Sequence, residues 1–211
     1  GKELFGRWAG ILAAGLIAIL PGEFLGRSIL GFTDYHVAEV LFTTVAILFL
    51  LLAIKAANQQ EWAFNQLRHL DWRRAKPVIY SLLAGSFLGI YMITWQGGLL
   101  FVFIISVYFV IQFIIDHLKQ RSTGYLSVVA VPLFLVAAII FLPVFHGWLH
   151  LISMLAAIFI PLVLNGVSWL MTTSRIKPLY YPVALVGLGL VGLGILYLVI
   201  PVAVNAMLDL F

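Results

Sequence analysis

Apolar runs of about 18 to 20 residues recur along this chain. Each is long enough to cross a hydrocarbon core of about 30 Å at about 1.5 Å of helix rise per residue. Inside hydrocarbon every unpaired backbone N–H or C=O costs several kcal/mol, so a spanning segment must be a helix or a strand of a closed barrel. The alternating pattern of barrel strands is absent. The chain is therefore expected to be an all-α, polytopic transmembrane helical bundle, embedded in a cell membrane. Its composition agrees: 9% of residues are charged and 64% are apolar, whereas soluble domains carry about 25% charged residues.

Seven spans are expected in a single transmembrane domain covering 1–211. Their bounds are about 4–22, 37–54, 77–95, 97–115, 126–145, 148–171 and 183–202. Pro132 and Pro143 are expected to kink the fifth. Residues Lys55 to Lys76 form the long polar connection, with Phe64, Leu67 and Leu70 near the spacing of a short interfacial helix. Residues Asp116–Tyr125 and Thr172–Pro182 read as polar loops. Seven spans alternate sides, which assigns every loop and allows a test against the excess of Lys and Arg in cytoplasmic loops. Of the twelve Lys and Arg residues, all but Arg27 fall on the side that holds the N-terminus. That side is expected to be cytoplasmic. Arg27, Asp34, His36 and the Trp95 turn then face the non-cytoplasmic side. The net charge of +4 is explained by topology, and no nucleic-acid partner is expected. Cysteine is absent, which excludes disulfides and thiolate ligands. The chain opens Gly-Lys-Glu-Leu without a Met and stops at Leu208-Asp209-Leu210-Phe211, so it is expected to be a piece of a longer protein.

The residues that topology leaves unexplained are concentrated in Arg27 to Glu39, R-S-I-L-G-F-T-D-Y-H-V-A-E. Ionisable groups at membrane depth cost about 2.5 to 3.5 kcal/mol each and are functional hypotheses by default. Asp34 and His36 would diverge on a helical turn. In a turn before a helix N-terminus, which Gly31 and Thr33 favour, both side chains can converge on one ion. A carboxylate oxygen with an imidazole suits Mn²⁺ or Mg²⁺, and Zn²⁺ is also compatible. Two ligands do not complete a site, so a further carboxylate has to come from elsewhere. Glu39, three residues after His36, is placed to hold the imidazole N–H from behind. The residues alone leave a simpler alternative open. Asp34 caps the second span, Arg27 meets a lipid phosphate, and His36 with Glu39 makes a local contact.

The run P-G-E-F-L-G-R-S-I-L-G-F-T-D-Y-H-V-A-E, Pro21 to Glu39, closely resembles the second acidic-motif region of the archaeal-type oligosaccharyltransferase catalytic subunit. In that family an Arg-Ser-x-x-Gly-x-x-Asp pattern ends at a metal-binding Asp, and archaeal members carry His two residues later. Arg27, Ser28, Gly31, Asp34 and His36 match it. The run G-R-W-A-G-I-L-A-A-G-L-I-A-I-L-P-G is similar to the span before that motif, and Thr94-Trp95-Gln96-Gly97-Gly98 to the family's Trp-Gly turn.

The resemblance implies a membrane domain of the GT-C glycosyltransferase type. It implies transfer of an oligosaccharide from a polyprenyl (dolichyl) phosphate carrier to the Asn of an Asn-X-Ser/Thr sequon, so the partners are a lipid-linked oligosaccharide, an acceptor polypeptide and the lipid bilayer. A divalent cation, Mn²⁺ or Mg²⁺, offsets charge on the departing phosphate. Carried over, Asp34 and His36 are metal ligands and Arg27 supports the acidic cluster or the carrier phosphate. The family's first acidic motif, its long outer loop after the last span and its C-terminal WWDYG element are missing here. The 211 residues alone are therefore expected to be inactive.

Two other patterns are weaker. Gly187-Leu-Gly189-Leu-Val-Gly192 matches a dinucleotide fingerprint, but inside an apolar run it is better read as a surface for close helix packing. His146 and His150 lack an acidic partner and read as solvated interfacial residues. A transporter or channel with an ion site at Asp34 and His36 is the competing function. It would be favoured by inverted repeats, and none is found between the halves.

Overall fold

The structure is a computed structural model that describes residues 1–19, 35–59, 75–95, 97–144, 147–192 and 194, without the side chains of Tyr35, His36 and Leu149. Among these residues it is all helical. A single turn, α1 (Lys2–Phe5), precedes α2 (Arg7–Ile19). Five helices long and apolar enough to cross a membrane follow: α3 (Tyr35–Gln59), α4 (Lys76–Thr94), α5 (Gly98–Leu118), α6 (Gly124–Phe141) and α7 (Trp148–Thr173). Another short apolar helix, α8 (Tyr180–Gly192), comes last. The expected first span, 4–22, overlaps the end of α1 and all of α2 with Gly6 between them, and the expected seventh, 183–202, overlaps α8 as far as Gly192; residues 20–22 and 195–202 lie outside the described residues. The expected interfacial helix lies mostly in 60–74, outside the described residues.

Several boundaries differ from the sequence reading. Helix α3 begins at Tyr35, two residues early, and runs on to Gln59. Helix α5 continues through Asp116 and His117, which were expected in a loop. Polar residues at a helix end add backbone hydrogen bonds, and the hydropathy of the run cannot register that gain. Pro132 is inside α6, but Pro143 lies past its end at Leu142 and so kinks no span.

Helix α6 is the axis of the bundle. Of its most apolar stretch 61% is buried, against 17% for α3, and it packs against α3, α4 and α7. The strongest neighbours are α3 with α4 and α4 with α6, whereas α4 barely touches α5 and α5 barely touches α6, although short turns join them. Helix α5 packs on α7 instead.

Small residues explain the α4–α6 pairing. Ser81, Gly85 and Gly89 recur every fourth residue on α4 and lie on its buried stripe with Ala84, Leu88 and Met92. A Cβ on Gly85 would strike the Leu133 carbonyl oxygen of α6, and one on Gly89 would come within 2.9 Å of Ile140 Cβ. This is the small-xxx-small contact by which helices associate in lipid, where no hydrophobic drive separates helix from acyl chain. The glycines singled out in the sequence behave differently. A Cβ on Gly187, Gly189 or Gly192 meets nothing within 4 Å, so among the described residues they support no close packing.

Helix α3 meets α4 through an alanine stripe, Ala46, Ala53 and Ala57 around Leu50, and through rings. Phe49 stacks on Phe87 at 5.8 Å, and Phe42 lies 6.3 Å from Phe87. Further in, Phe109 of α5 meets Phe134 of α6 edge-on at 6.1 Å. Large apolar side chains also point outward, among them Phe103, Ile104, Ile139, Phe159 and Leu170. On a soluble protein such a surface would be a liability; on a membrane bundle an apolar surface is compatible with lipid.

Candidate functional site

Arg27 and Asp34 lie outside the described residues. His36 is the second residue of α3, so its backbone belongs to the helix and not to a turn before it; its side chain is not described. Tyr35 to Glu39 carry no glycine or proline that would delay the helix. The three-residue spacing from His36 to Glu39 is thus a helical one, which places both on one face of the first turns.

Glu39 is half-buried and engaged. Tyr91 of α4, only 3% exposed, donates its hydroxyl to Glu39 Oε1 at 3.4 Å, long for an O–H···O bond. The Tyr91 ring is itself fixed, meeting Phe101 of α5 edge-on at 5.5 Å and Trp95 at 6.3 Å. Trp95 closes α4 in an extended conformation, φ −145° and ψ 125°. Its indole occupies the place a Cβ on Gly97 would take, so a side chain there would have to displace the ring. The start of α3, which follows the acidic stretch, is held against an aromatic ledge built from α4 and α5. Sequence reasoning missed Tyr91. The available signal was a Tyr–Trp pair four residues apart at a span end, where the hydroxyl of a buried ring needs a polar partner.

Among the described residues no three of His, Asp and Glu come together as a metal-binding group. His150 is half-buried with its ring 5.4 Å from that of Phe141 and lying over Gly147. It is packed, and the solvated reading of it is corrected; His146 lies outside the described residues.

A second polar cluster sits at the other end of the bundle. Asp116, 2% exposed, accepts from Tyr125 Oη at 2.6 Å and from Gln112 Nε2 at 3.1 Å. Next to it in sequence, His117 Nδ1 lies 2.8 Å from Ser168 Oγ of α7, and the imidazole stacks at 4.1 Å on Tyr181 of α8. Tyr181 Oη donates to the Leu164 carbonyl at 2.9 Å. Burying a carboxylate is tolerable only with such partners. Tyr125→Phe is expected to destabilise the protein by about 1.5 to 3 kcal/mol, the size of a hydrogen bond to a charged group. Thermal unfolding in detergent reads this, and an unchanged midpoint would remove Asp116 as an anchor between α5 and α6.

Comparison with known proteins bears on the whole chain. Residues 1–207 match the family described as "Oligosaccharyl transferase STT3, N-terminal". The chain is similar to a dolichyl-monophosphooligosaccharide–protein glycotransferase, AglB, of Haloferax volcanii, with 29% identity over 95% of this chain and 20% of the relative. It is also similar to dolichyl-phosphooligosaccharide–protein glycotransferase 3 of Archaeoglobus fulgidus, with 36% identity over 67% of this chain and 16% of the relative. The chain thus spans a fifth or less of the length of these curated relatives.

Two solved structures of the Archaeoglobus fulgidus oligosaccharyltransferase superpose on it. One is a complex with an inhibitory peptide and a dolichol-phosphate, with a TM-score of 0.69 and 26% identity over 93% of this chain and 24% of that one. The other is a complex with Zn and sulfate, with a TM-score of 0.70 and 26% identity over 93% of this chain and 25% of that one.

Proposed function

The chain belongs to the oligosaccharyl transferase STT3 family, and from that premise we propose that the complete protein is a metal-dependent membrane oligosaccharyltransferase. It moves an oligosaccharide from a polyprenyl (dolichyl) phosphate carrier to the Asn of an Asn-X-Ser/Thr sequon. The observation that carries this reading is the match across residues 1–207, with Arg27, Ser28, Gly31, Asp34 and His36 standing in the family's acidic-motif pattern. The relatives' names and the dolichol-phosphate and peptide in the Archaeoglobus fulgidus complex support both the carrier and the acceptor.

Asp34 and His36 are the metal ligands this chain supplies, and Arg27 steadies the carrier phosphate with a planar guanidinium. One carboxylate and one imidazole fit Mn²⁺, Mg²⁺ or Zn²⁺, and the Zn in the Archaeoglobus fulgidus complex is of that class. When bound, the cation supplies Lewis-acid stabilisation of the leaving phosphate. Glu39, held by Tyr91, positions the first turns of α3 beneath His36. The site opens on the non-cytoplasmic face, with the N-terminus cytoplasmic. Remaining ligands and the sequon-reading element belong to the rest of the protein, so the 211 residues alone are inactive.

The test is transfer itself. Full-length protein incubated with a lipid-linked oligosaccharide and a sequon peptide should yield glycopeptide by mass spectrometry. Chelation with EDTA should reduce it to background, and added Mn²⁺ should restore it. Lack of transfer by the metal-replete protein overturns the enzyme reading, whereas transfer that survives chelation overturns only the metal.

A further inference from the structure

We propose that the cavity between the loop ends of α5, α6 and α7 is a binding site for the phosphate of an anionic lipid. It encloses about 790 Å³, within the roughly 300 to 1,000 Å³ of ordinary ligand sites. It lies at the opposite end of the bundle from the start of α3, and it stands independently of the glycosyl-transfer reading.

Two helix terminations of the same kind build it. At the end of α5, Gln120 is left-handed at φ 54°, its N–H reaching the His117 carbonyl at 3.0 Å while Arg121 N–H reaches that of Asp116 at 2.9 Å. At the end of α7, Arg175 is left-handed at φ 53°, with its N–H on the Thr172 carbonyl at 3.2 Å and Ile176 N–H on that of Met171 at 3.0 Å. Glycine takes this left-handed position most easily. In both turns a side chain is kept there in spite of the strain, and each turn sets an arginine beside the cavity. Arg121, Arg175 and Lys177 line it. No carboxylate does, and among the described residues none of the three cations is in an ion pair.

The floor is polar and ordered. Thr123 Oγ1, on a residue 5% exposed, lies 3.0 Å from Ser168 Oγ and 3.2 Å from Asn165 Oδ1, and Ser168 also holds His117. Membrane topology accounts for positive charge at this end, but not for three cations converging on a cavity floored by buried hydroxyls. Lys76 and Lys119, at the same end, stay outside it. A guanidinium pair beside an ammonium is the chemistry that holds a phosphate.

The walls decide the source of that phosphate. Trp169, 67% exposed, and Ile176, 44% exposed, flank the cations, and Leu179 and Tyr180 continue the exposed apolar rim. An exposed Trp and Tyr at a span end is the pattern of a lipid interface. An acyl chain would cover this rim; inorganic phosphate would leave it bare.

The experiment measures lipid binding to the full-length protein by native mass spectrometry, from micelles doped with dioleoylphosphatidic acid or dioleoylphosphatidylcholine. Phosphatidic acid is expected to bind about tenfold more tightly than phosphatidylcholine. Arg175→Gln with Lys177→Gln should weaken it about tenfold, while Lys76→Gln with Lys119→Gln, an equal loss of charge outside the cavity, should change it less than about twofold. Arg121→Gln, from the other turn, should act in the same direction, so a folding defect peculiar to one variant cannot imitate the result. Equal weakening by both charge-removing pairs, or none by either, overturns the site. Displacement of the lipid by an equal concentration of inorganic phosphate overturns the lipid assignment.

Discussion

Replacing Asp34 by Asn in the full-length protein is expected to cut glycan transfer by about 100-fold or more, with insertion and yield unchanged. A metal's share of transition-state charge stabilisation is several kcal/mol, and about 2.7 kcal/mol corresponds to 100-fold. Asn keeps the size and one oxygen of Asp but loses the charge that holds a divalent cation. The substitution also separates the two readings of this position. Asn and Asp are about equally good at capping a helix, so if Asp34 only precedes α3 as its cap, transfer and stability both stay at the wild-type level. Glycopeptide yield as a function of added Mn²⁺ is the measurement. A matching fall for His36→Ala, with part of the loss recovered at high Mn²⁺, is the expected companion result. Full activity in both variants would sink the ligand assignment and leave the family membership untouched.

The second large effect is structural. Gly85→Leu is expected to cost about 3 kcal/mol or more, at the upper end of what overpacking costs in a tight interior. Glycine within a helix is itself unfavourable by about 0.5 to 1 kcal/mol relative to Ala, so any side chain there gains that amount back. The gain is too small, because the new Cβ meets a backbone carbonyl, Leu133 O of α6, which cannot swing aside. The two helices would have to separate along Ser81, Gly85 and Gly89. Gly187→Leu is the control: nothing lies within 4 Å of a Cβ there, and a change of about 0.5 kcal/mol or less is expected. Thermal unfolding of both variants in one detergent decides the matter. Equal midpoints would mean that α4 and α6 do not approach as closely as the structure has them.

The most informative part of the sequence for function, Pro21 to Glu39, is legible because its residues are costly in a membrane and fall in a fixed pattern. Its geometry is not legible. The expectation that His36 precedes the helix gave way to a helix starting at Tyr35, since no residue from Tyr35 to Glu39 stops a helix and an apolar run does not register where backbone hydrogen bonding begins. Tyr91 was overlooked because a single tyrosine near a span end reads as a belt residue; only the packing of α3 on α4 brings it within reach of Glu39, 52 positions away. Asp116 was read as loop for a similar reason. Its burial depends on Tyr125 and Gln112, and a hydropathy average cannot anticipate partners that cancel a charge.

By itself the sequence determined the helical class and the family. Both rest on residues whose cost in lipid is local: each backbone must close its own hydrogen bonds, and each charge must be explained where it stands. Only the tertiary structure decided which helix is central, that α4 turns away from α5 to α6, and which glycines are contacts. A segment apolar on every side carries no stripe to name its partner, and lipid is as apolar as leucine. What chooses partners is shape, the absence of a Cβ at Gly85 and Gly89 opposite a carbonyl and a methyl of α6, and shape exists only once the helices are together.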